Sequence, residues 1–438
     1  MTLASDRVGS HPLGERIALL LAILATVPGL VVRLTGAEFA HPVEALLCGL
    51  AIVGAAFVLS WAAEVAQLDI SAGLAIAVLA FIAVLPEYAV DMVFSWKGGN
   101  AVEAFGRACK AATDTGESAC SLALANMTGA NRLLIGVGWS LVVFIIWFRS
   151  RRTGRPITDV RLERARSVEI SFLALATAYS LLLPLKHSIT LIDAVVLVAI
   201  FVAYTVRISR APAEEPHLVG PAVVIGGMPE RRRRVTVVAM FLFAATVILL
   251  LAERFAEALV LTGREFGVSE FLLVQWLAPL ASEAPELLVA GLYAWRLNHN
   301  GGLGTLVSSK VNQWTLLVGT LPIVFAVASA SHHGLPIDAH QREELFLTAA
   351  QSFYGVAVLV SLSISTREAL TLFSLFWAQF LVGALVPASL AGIERVGVGV
   401  AYVLLGIWIL VRQRSHVARL LRDGFRTDIR ALGAASDG

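Results

Sequence analysis

The sequence predicts an all-α, polytopic membrane protein with about twelve transmembrane helices. Three observations carry that prediction. Hydrophobic residues make up 57% of the chain and charged residues 15%, the mean hydropathy is +0.77, and apolar stretches long enough to cross a hydrocarbon core recur from residue 16 to residue 412. A soluble domain with an ordinary polar surface does not reach this composition. The net charge of +2, with basic residues confined to a few loops, argues against a nucleic-acid partner and leaves the lipid bilayer as the surrounding medium.

Charged or Gly/Pro-rich punctuation separates spans at roughly 16–34, 42–62, 70–96, 118–148, 168–185, 189–207, 235–252, 268–295, 303–329, 346–364, 368–390 and 395–412. The first run has no convincing cleavage site after it and is kept as a span. The richest basic loops, FRSRRTGRPITDVRLERARS, VRISR to PERRRR, and VRQRSHVARLLRDGFR, all follow even-numbered spans. By the positive-inside rule they share the cytoplasm, so the expectation is a multi-pass protein of the cell membrane with both termini cytoplasmic. The expected organisation is an N-terminus with an extra span (1–38), a first half (39–210), a basic linker (211–234), a second half (235–392), and a final span with a basic tail (393–438).

Enzyme chemistry finds little support. There is no H-E-x-x-H run, intramembrane aspartate pair or Ser/His dyad, and GGLGTLVSSK at 301–310 lacks the spacing of a phosphate loop. No soluble cofactor is implied. Cys48 reads as a small core residue.

Two spans stand out. The third contains FIAVLPEYAVD and the eighth WLAPLASEAPELLVA, each placing Pro-Glu at mid-membrane. Proline lacks an N–H, so Pro86 and Pro285 release the carbonyls of Ile82 and Ala281. Free carbonyls and a carboxylate at that depth are tolerated only where they face protein, water or an ion. Together Glu87 and Glu286 begin an all-oxygen site for a hard cation. The next span in each case adds small and polar residues: Asn126, Thr128, Gly129 and Asn131 after Glu87, and Thr305, Ser308, Ser309 and Gln313 after Glu286. Either Pro-Glu alone could be a structural kink. Two of them, five spans apart and therefore entering from opposite sides, form the inverted pair used for alternating access.

These motifs resemble the calcium/cation antiporter superfamily, the family of sodium/calcium exchangers, whose two repeats carry a G-T-S-x-P-E helix followed by a G-N-x-x-G-S helix. The matches are Pro86, Glu87, Ala125, Asn126 and Gly129, then Ser282, Pro285, Glu286, Gly304 and Ser309, with TLLVGT at 315–320 as the apolar continuation. The resemblance implies a ten-helix inverted-repeat core with broken helices, flanked by spans one and twelve. It also implies an ion site of Glu87, Asn126, Glu286, Thr305, Ser282 and Ser309. Ala83-Val84 stand where the family has Thr-Ser, Thr305 replaces an Asn or Asp, and Lys310 occupies the position of Asn131. Lys310 would either neutralise Glu286 or snorkel to the interface. Glu283 and Asp91 lie three and four residues from the paired glutamates on nearly the same helical face, although Asp91 could also mark the exterior end of its span. The implied activity is exchange of Ca²⁺ or Na⁺ for Na⁺ or H⁺, with a transport-inactive scaffold or cation sensor as the alternative. Finally, 39 residues separate Glu87 from Asn126 but only 19 separate Glu286 from Thr305. The difference is an exterior insertion in which Cys109 and Cys120 are expected to form a disulfide.

Overall fold

The computed structural model describes residues 12–69, 85–111, 116–152, 154, 156–211 and 218–433. The first part of the third expected span, with Ala83 and Val84, lies outside the described residues. Almost everything else is helical: α1 (Pro12–Thr35), α2 (His41–Ala66), α3 (Leu85–Phe105), α4 (Ala119–Leu133), α5 (Ser140–Arg152), α6 (Ser167–Ser180), α7 (Leu191–Ile208), α8 (Pro221–Gly226), α9 (Glu230–Phe266), α10 (Glu270–Trp295), α11 (His299–Asn312), α12 (Val318–Ala328), α13 (Ala339–Leu359), α14 (Thr366–Leu385), α15 (Ala388–Arg412), α16 (Arg414–Phe425) and α17 (Ile429–Gly433). Among the described residues, eight segments are long and apolar enough to cross a membrane. Helices α10, α13 and α14 fall outside that set, and the first two carry buried acids, Glu283 and Glu344; α3, described only from Leu85, carries buried Glu87 and Asp91.

Large apolar side chains face outward on the peripheral helices, among them Leu20, Leu24, Leu404 and Trp408. Lipid, not water, is the solvent such a surface fits. Helices α1, α2 and α9 pack through small residues. A Cβ on Gly29 would lie 2.6 Å from Ala51 Cβ, and one on Gly49 would lie 3.0 Å from Phe255.

The second half repeats the first. Helix α7 starts behind a capping box of Thr190 and Asp193, and α14 starts behind one of Ser365 and Glu368. Strand β1 (Asp159–Arg161) pairs antiparallel with β4 (Ser363–Ser365), and β2 (Ser188–Ile189) with β3 (Leu335–Pro336). The two short sheets sit at opposite ends of α6 and of α13, so each joins one half to the other. The sheet of β1 and β4 shares its face with the arginine-rich loops.

Two π-helical turns mark equivalent places. Leu134–Trp139 links α4 to α5, and Gln313–Leu317 links α11 to α12. Such turns insert an extra residue and are frequent at functional sites. Helix α10 retains helical structure through Pro279 and Pro285. Pro86 lies at the start of the described part of α3. Cys109 and Cys120 are disulfide-bonded, tying the end of α3 to the start of α4. Cys48 is fully buried.

Candidate functional site

Four helices, α3, α4, α10 and α11, converge on a cluster of buried polar groups. Glu87 and Asp91 come from successive turns of α3 and are each 1% exposed, while Glu283 on α10 is fully buried. Glu286, one turn further along α10, is only half-buried, but its Oε2 is sealed from solvent. The one-turn spacing puts each pair on a common helical face.

The cluster has three parts. Asn126 Nδ2 donates to Asp91 Oδ1 at 2.9 Å. Gln313, the first residue of the second π turn, donates to Glu283 Oε1 at 2.6 Å and to Glu87 Oε2 at 3.4 Å, spanning the two repeats. Lys310 is fully buried and donates to the carbonyl and side-chain oxygens of Asn131 at 2.5 and 2.6 Å. Residues 131 and 310 are equivalent in the two repeats, so this contact lies on the internal two-fold relation. Lys310 therefore does not snorkel, and its partner is not Glu286. Its Nζ also stands 5.3 Å from the Trp314 ring, and the acids whose charges reach it are Glu283 and Glu87. Asp91, rather than ending its span, points into the cluster.

Among the described residues, one oxygen of each acid lacks a donor: Glu87 Oε1, Asp91 Oδ2, Glu283 Oε2 and Glu286 Oε2. Asn126 Oδ1, Gln313 Oε1 and Ser309 Oγ are likewise buried without a hydrogen-bond partner. Orphaned buried oxygens are costly, and an ionised carboxylate at the centre of a span costs roughly 2.5–3.5 kcal/mol even on insertion scales. A set of acceptors is what a cation or protons would satisfy. In this conformation no three acidic, His or Cys side chains among the described residues close around a common metal position.

Two sequence candidates stand apart. Ser282 Oγ returns to the carbonyls of Ala278 and Pro279, both at 3.2 Å. Thr305 Oγ1 is committed to the Gly301 carbonyl at 2.7 Å. Short hydroxyl side chains on a helix commonly satisfy themselves on the preceding turn.

A second buried network was not anticipated. Arg132, one residue past Asn131, donates to Glu344 of α13 at 2.8 Å and to Gln379 of α14. Its guanidinium lies 5.1 Å from the centre of the Trp276 ring. Gln275 of α10 ties this network to the site helix, donating to Glu344 at 2.9 Å and to Thr128 at 3.2 Å. Beside it, Gly129 lets α4 touch the backbone of α10: a Cβ there would overlap the Gln275 carbonyl. An arginine inside an apolar span is itself the signal that could have found this network.

Comparison with known proteins bears on the whole chain. The solved structure described as the H⁺/Ca²⁺ exchanger CAX is 40% identical, with 96% of this chain and 99% of that chain covered and a TM-score of 0.84. The structure of YfkE shares the fold at 14% identity, covering 89% of this chain and all of that one, with a TM-score of 0.57. No curated protein matches. The sequence model described as "Sodium/calcium exchanger protein" matches residues 43–209 and 236–411. The chain is thus a membrane transporter rather than an enzyme, and it belongs to the sodium/calcium exchanger family of cation antiporters.

Proposed function

We propose that this protein exchanges Ca²⁺ for H⁺ across the cell membrane by alternating access at the cluster of Glu87, Asp91, Glu283 and Glu286. The observation that carries this reading is the set of buried carboxylate oxygens without a donor among the described residues. Four ionised acids and one ammonium would bury a net charge of −3, which a low-dielectric site does not tolerate. One divalent cation and two protons remove the same charge, so either can occupy the cluster while its remaining charge stays constant. The similarity at 40% identity to a structure described as an H⁺/Ca²⁺ exchanger supports the same pairing of ions.

Lys310 has a defined part in this scheme. A fixed ammonium near Glu87 and Glu283 offsets one negative charge in place of a second metal ion, which favours a single divalent substrate over several sodium ions. Asn126 and Gln313 can each turn an amide oxygen towards a cation or an amide nitrogen towards a carboxylate, so they suit both loading states. The proposed topology has the arginine-rich face and both termini in the cytoplasm.

The test is ⁴⁵Ca²⁺ uptake into proteoliposomes under an imposed pH gradient, with sodium and potassium gradients as controls. Proton-driven uptake abolished by Glu87→Gln and by Glu286→Gln is the expected result. Sodium-driven uptake would reassign the coupling ion. Well-folded protein that binds calcium but moves none under any gradient would make it a sensor with the exchanger fold.

A further inference from the structure

On the face that carries β1 and β4, the C-terminal helix α16 lies against the entry to α6, and a cavity of about 620 Å³ opens between them. The antiport site makes no use of it. Helix α16 is anchored there. Arg164 Nε and Nη2 donate to Asp423 Oδ2 and Oδ1 at 2.7 and 3.1 Å. Arg207 donates to the Gly424 carbonyl and Ser171 to the Leu420 carbonyl, each at 3.1 Å.

The lining is strongly basic: Arg161 from β1, Arg164 ahead of α6, and Arg419 and Arg422 from α16. Its one acid among the described residues is Asp423, already committed to Arg164, with Arg422 at 3.6 Å. Arg161 and Arg419 form no ion pair among the described residues. Positive-inside topology accounts for many arginines on this face. It does not account for the two buried polar groups that also line the cavity. Ser167 Oγ, on a residue 1% exposed, and His416 Nδ1 both lack a hydrogen-bond partner among the described residues.

We propose that this cavity binds a phosphate group, carried either by an anionic lipid headgroup or by a soluble phosphate. Guanidinium groups from β1 and α16 approach from two sides, and Ser167 supplies a hydroxyl donor from the floor. Several donors converging on one volume suit a tetrahedral anion with several acceptor oxygens. Leu421 and Phe425 on α16 are each 40% exposed, as fits an amphipathic helix resting at a membrane surface. That places a lipid phosphate within reach. A bound phosphate would join α16 to the connections that enter α6 and leave α13, one from each half of the protein.

The test uses full-length protein in detergent, titrated separately with short-chain phosphatidic acid and with inorganic phosphate. Native mass spectrometry counts bound ligand, and melting temperature reports stabilisation. The expected result is saturable binding that Arg161→Ala/Arg419→Ala weakens at least tenfold. Arg231→Ala/Arg232→Ala, exposed on the same face but outside the cavity, should leave it unchanged. Ser167→Ala tests the floor hydroxyl and should weaken binding while leaving the outer arginines in place. Binding of phosphatidic acid alone identifies the headgroup as the ligand, and equal competition by inorganic phosphate identifies a soluble one. No saturable binding of either, or an equal loss in both arginine double variants, overturns the proposal. The readout is binding, so its outcome is separable from that of the flux assay.

Discussion

Gly129→Ala separates packing from chemistry at the candidate site. The new methyl carbon would lie 2.6 Å from the Gln275 carbonyl carbon and 3.0 Å from its Cγ, and closer still to the carbonyl oxygen. The carbonyl oxygen, only 1.6 Å from the new methyl, is the limiting contact, so α4 and α10 must separate by roughly 1.5 Å to restore ordinary packing distance, because the obstacle is backbone and cannot rotate away. Overpacking of this kind costs roughly 1–3 kcal/mol. The functional penalty is expected to be larger, since these helices carry Asn126 on one side and Glu283 and Glu286 on the other. By analogy with misplaced reacting groups, a shift of about 1 Å costs about 10²-fold in rate. Calcium flux in proteoliposomes should therefore fall about a hundredfold, while the melting temperature drops only modestly. Gly397→Ala is the control. Its Cβ would meet nothing within 4 Å, and removing a helical glycine should stabilise α15 by roughly 0.5–1 kcal/mol. Flux within twofold of the parent in well-folded Gly129→Ala would refute the argument that the contact between α4 and α10 sets the geometry of the site.

Three further outcomes follow from the same geometry. Exchanging the partners in Asp91→Asn/Asn126→Asp preserves one acid and one amide, so the double variant should transport at least tenfold faster than either single variant. A swap as inactive as the singles would mean the two positions are not a unit. Arg132→Met leaves the buried Glu344 with Gln275 at 2.9 Å, Arg395 at 3.8 Å and His340 at 3.9 Å, so the loss should stay below the roughly 3–5 kcal/mol of a buried ion pair broken outright. Adding Glu344→Gln should recover most of it in a denaturation assay, and additive losses would count against coupling. The third concerns pH. Hydrogen bonding to Arg164 holds the Asp423 carboxyl below its ordinary value of 3.8. The docking of α16 that depends on this charge is present above that ordinary value and is lost only as pH falls through the lower folded one. Hydrogen exchange in residues 414–433 should stay slow from neutral pH to about pH 4, once corrected for intrinsic exchange rates, and loosening near pH 6 would exclude this anchor.

The sequence reveals composition-driven features most clearly. Apolar runs fix the helical membrane fold, and two Pro-Glu pairs in matching positions single out α3 and α10 before any coordinates are known. Partnerships are much less legible. Helical periodicity says which face a residue occupies but not what stands across from it. Lys310 is the clearest case: a lysine near the end of an apolar stretch reads equally as a snorkelling cation, and only the crossing of α4 over α11 directs it onto Asn131. Thr305 and Ser282 fit a motif by position, but a hydroxyl on a helix has a carbonyl of its own within reach. Gln313 could be named as a source of oxygen, whereas its bridging role depends on a π turn that no simple period encodes. A single charge hardly alters a hydropathy window, so Arg132 leaves little trace in the sequence, and its partner, Glu344, sits just beyond the boundary expected for its span.

The two short sheets have a mechanical consequence. Strand β1 precedes α6 and β2 follows it, while β3 precedes α13 and β4 follows it. Pairing β1 with β4 and β2 with β3 closes a rectangle whose long sides are two antiparallel helices and whose short sides are hydrogen-bonded backbone. Such a frame resists shear, since sliding one side along the other breaks both short sides at once. No strand among the described residues fastens α1, α2 and α9, and small residues smooth their contacts with one another. Any large excursion would therefore fall to that outer trio moving as a body, while the rectangle stays still and serves as the reference against which the excursion is measured.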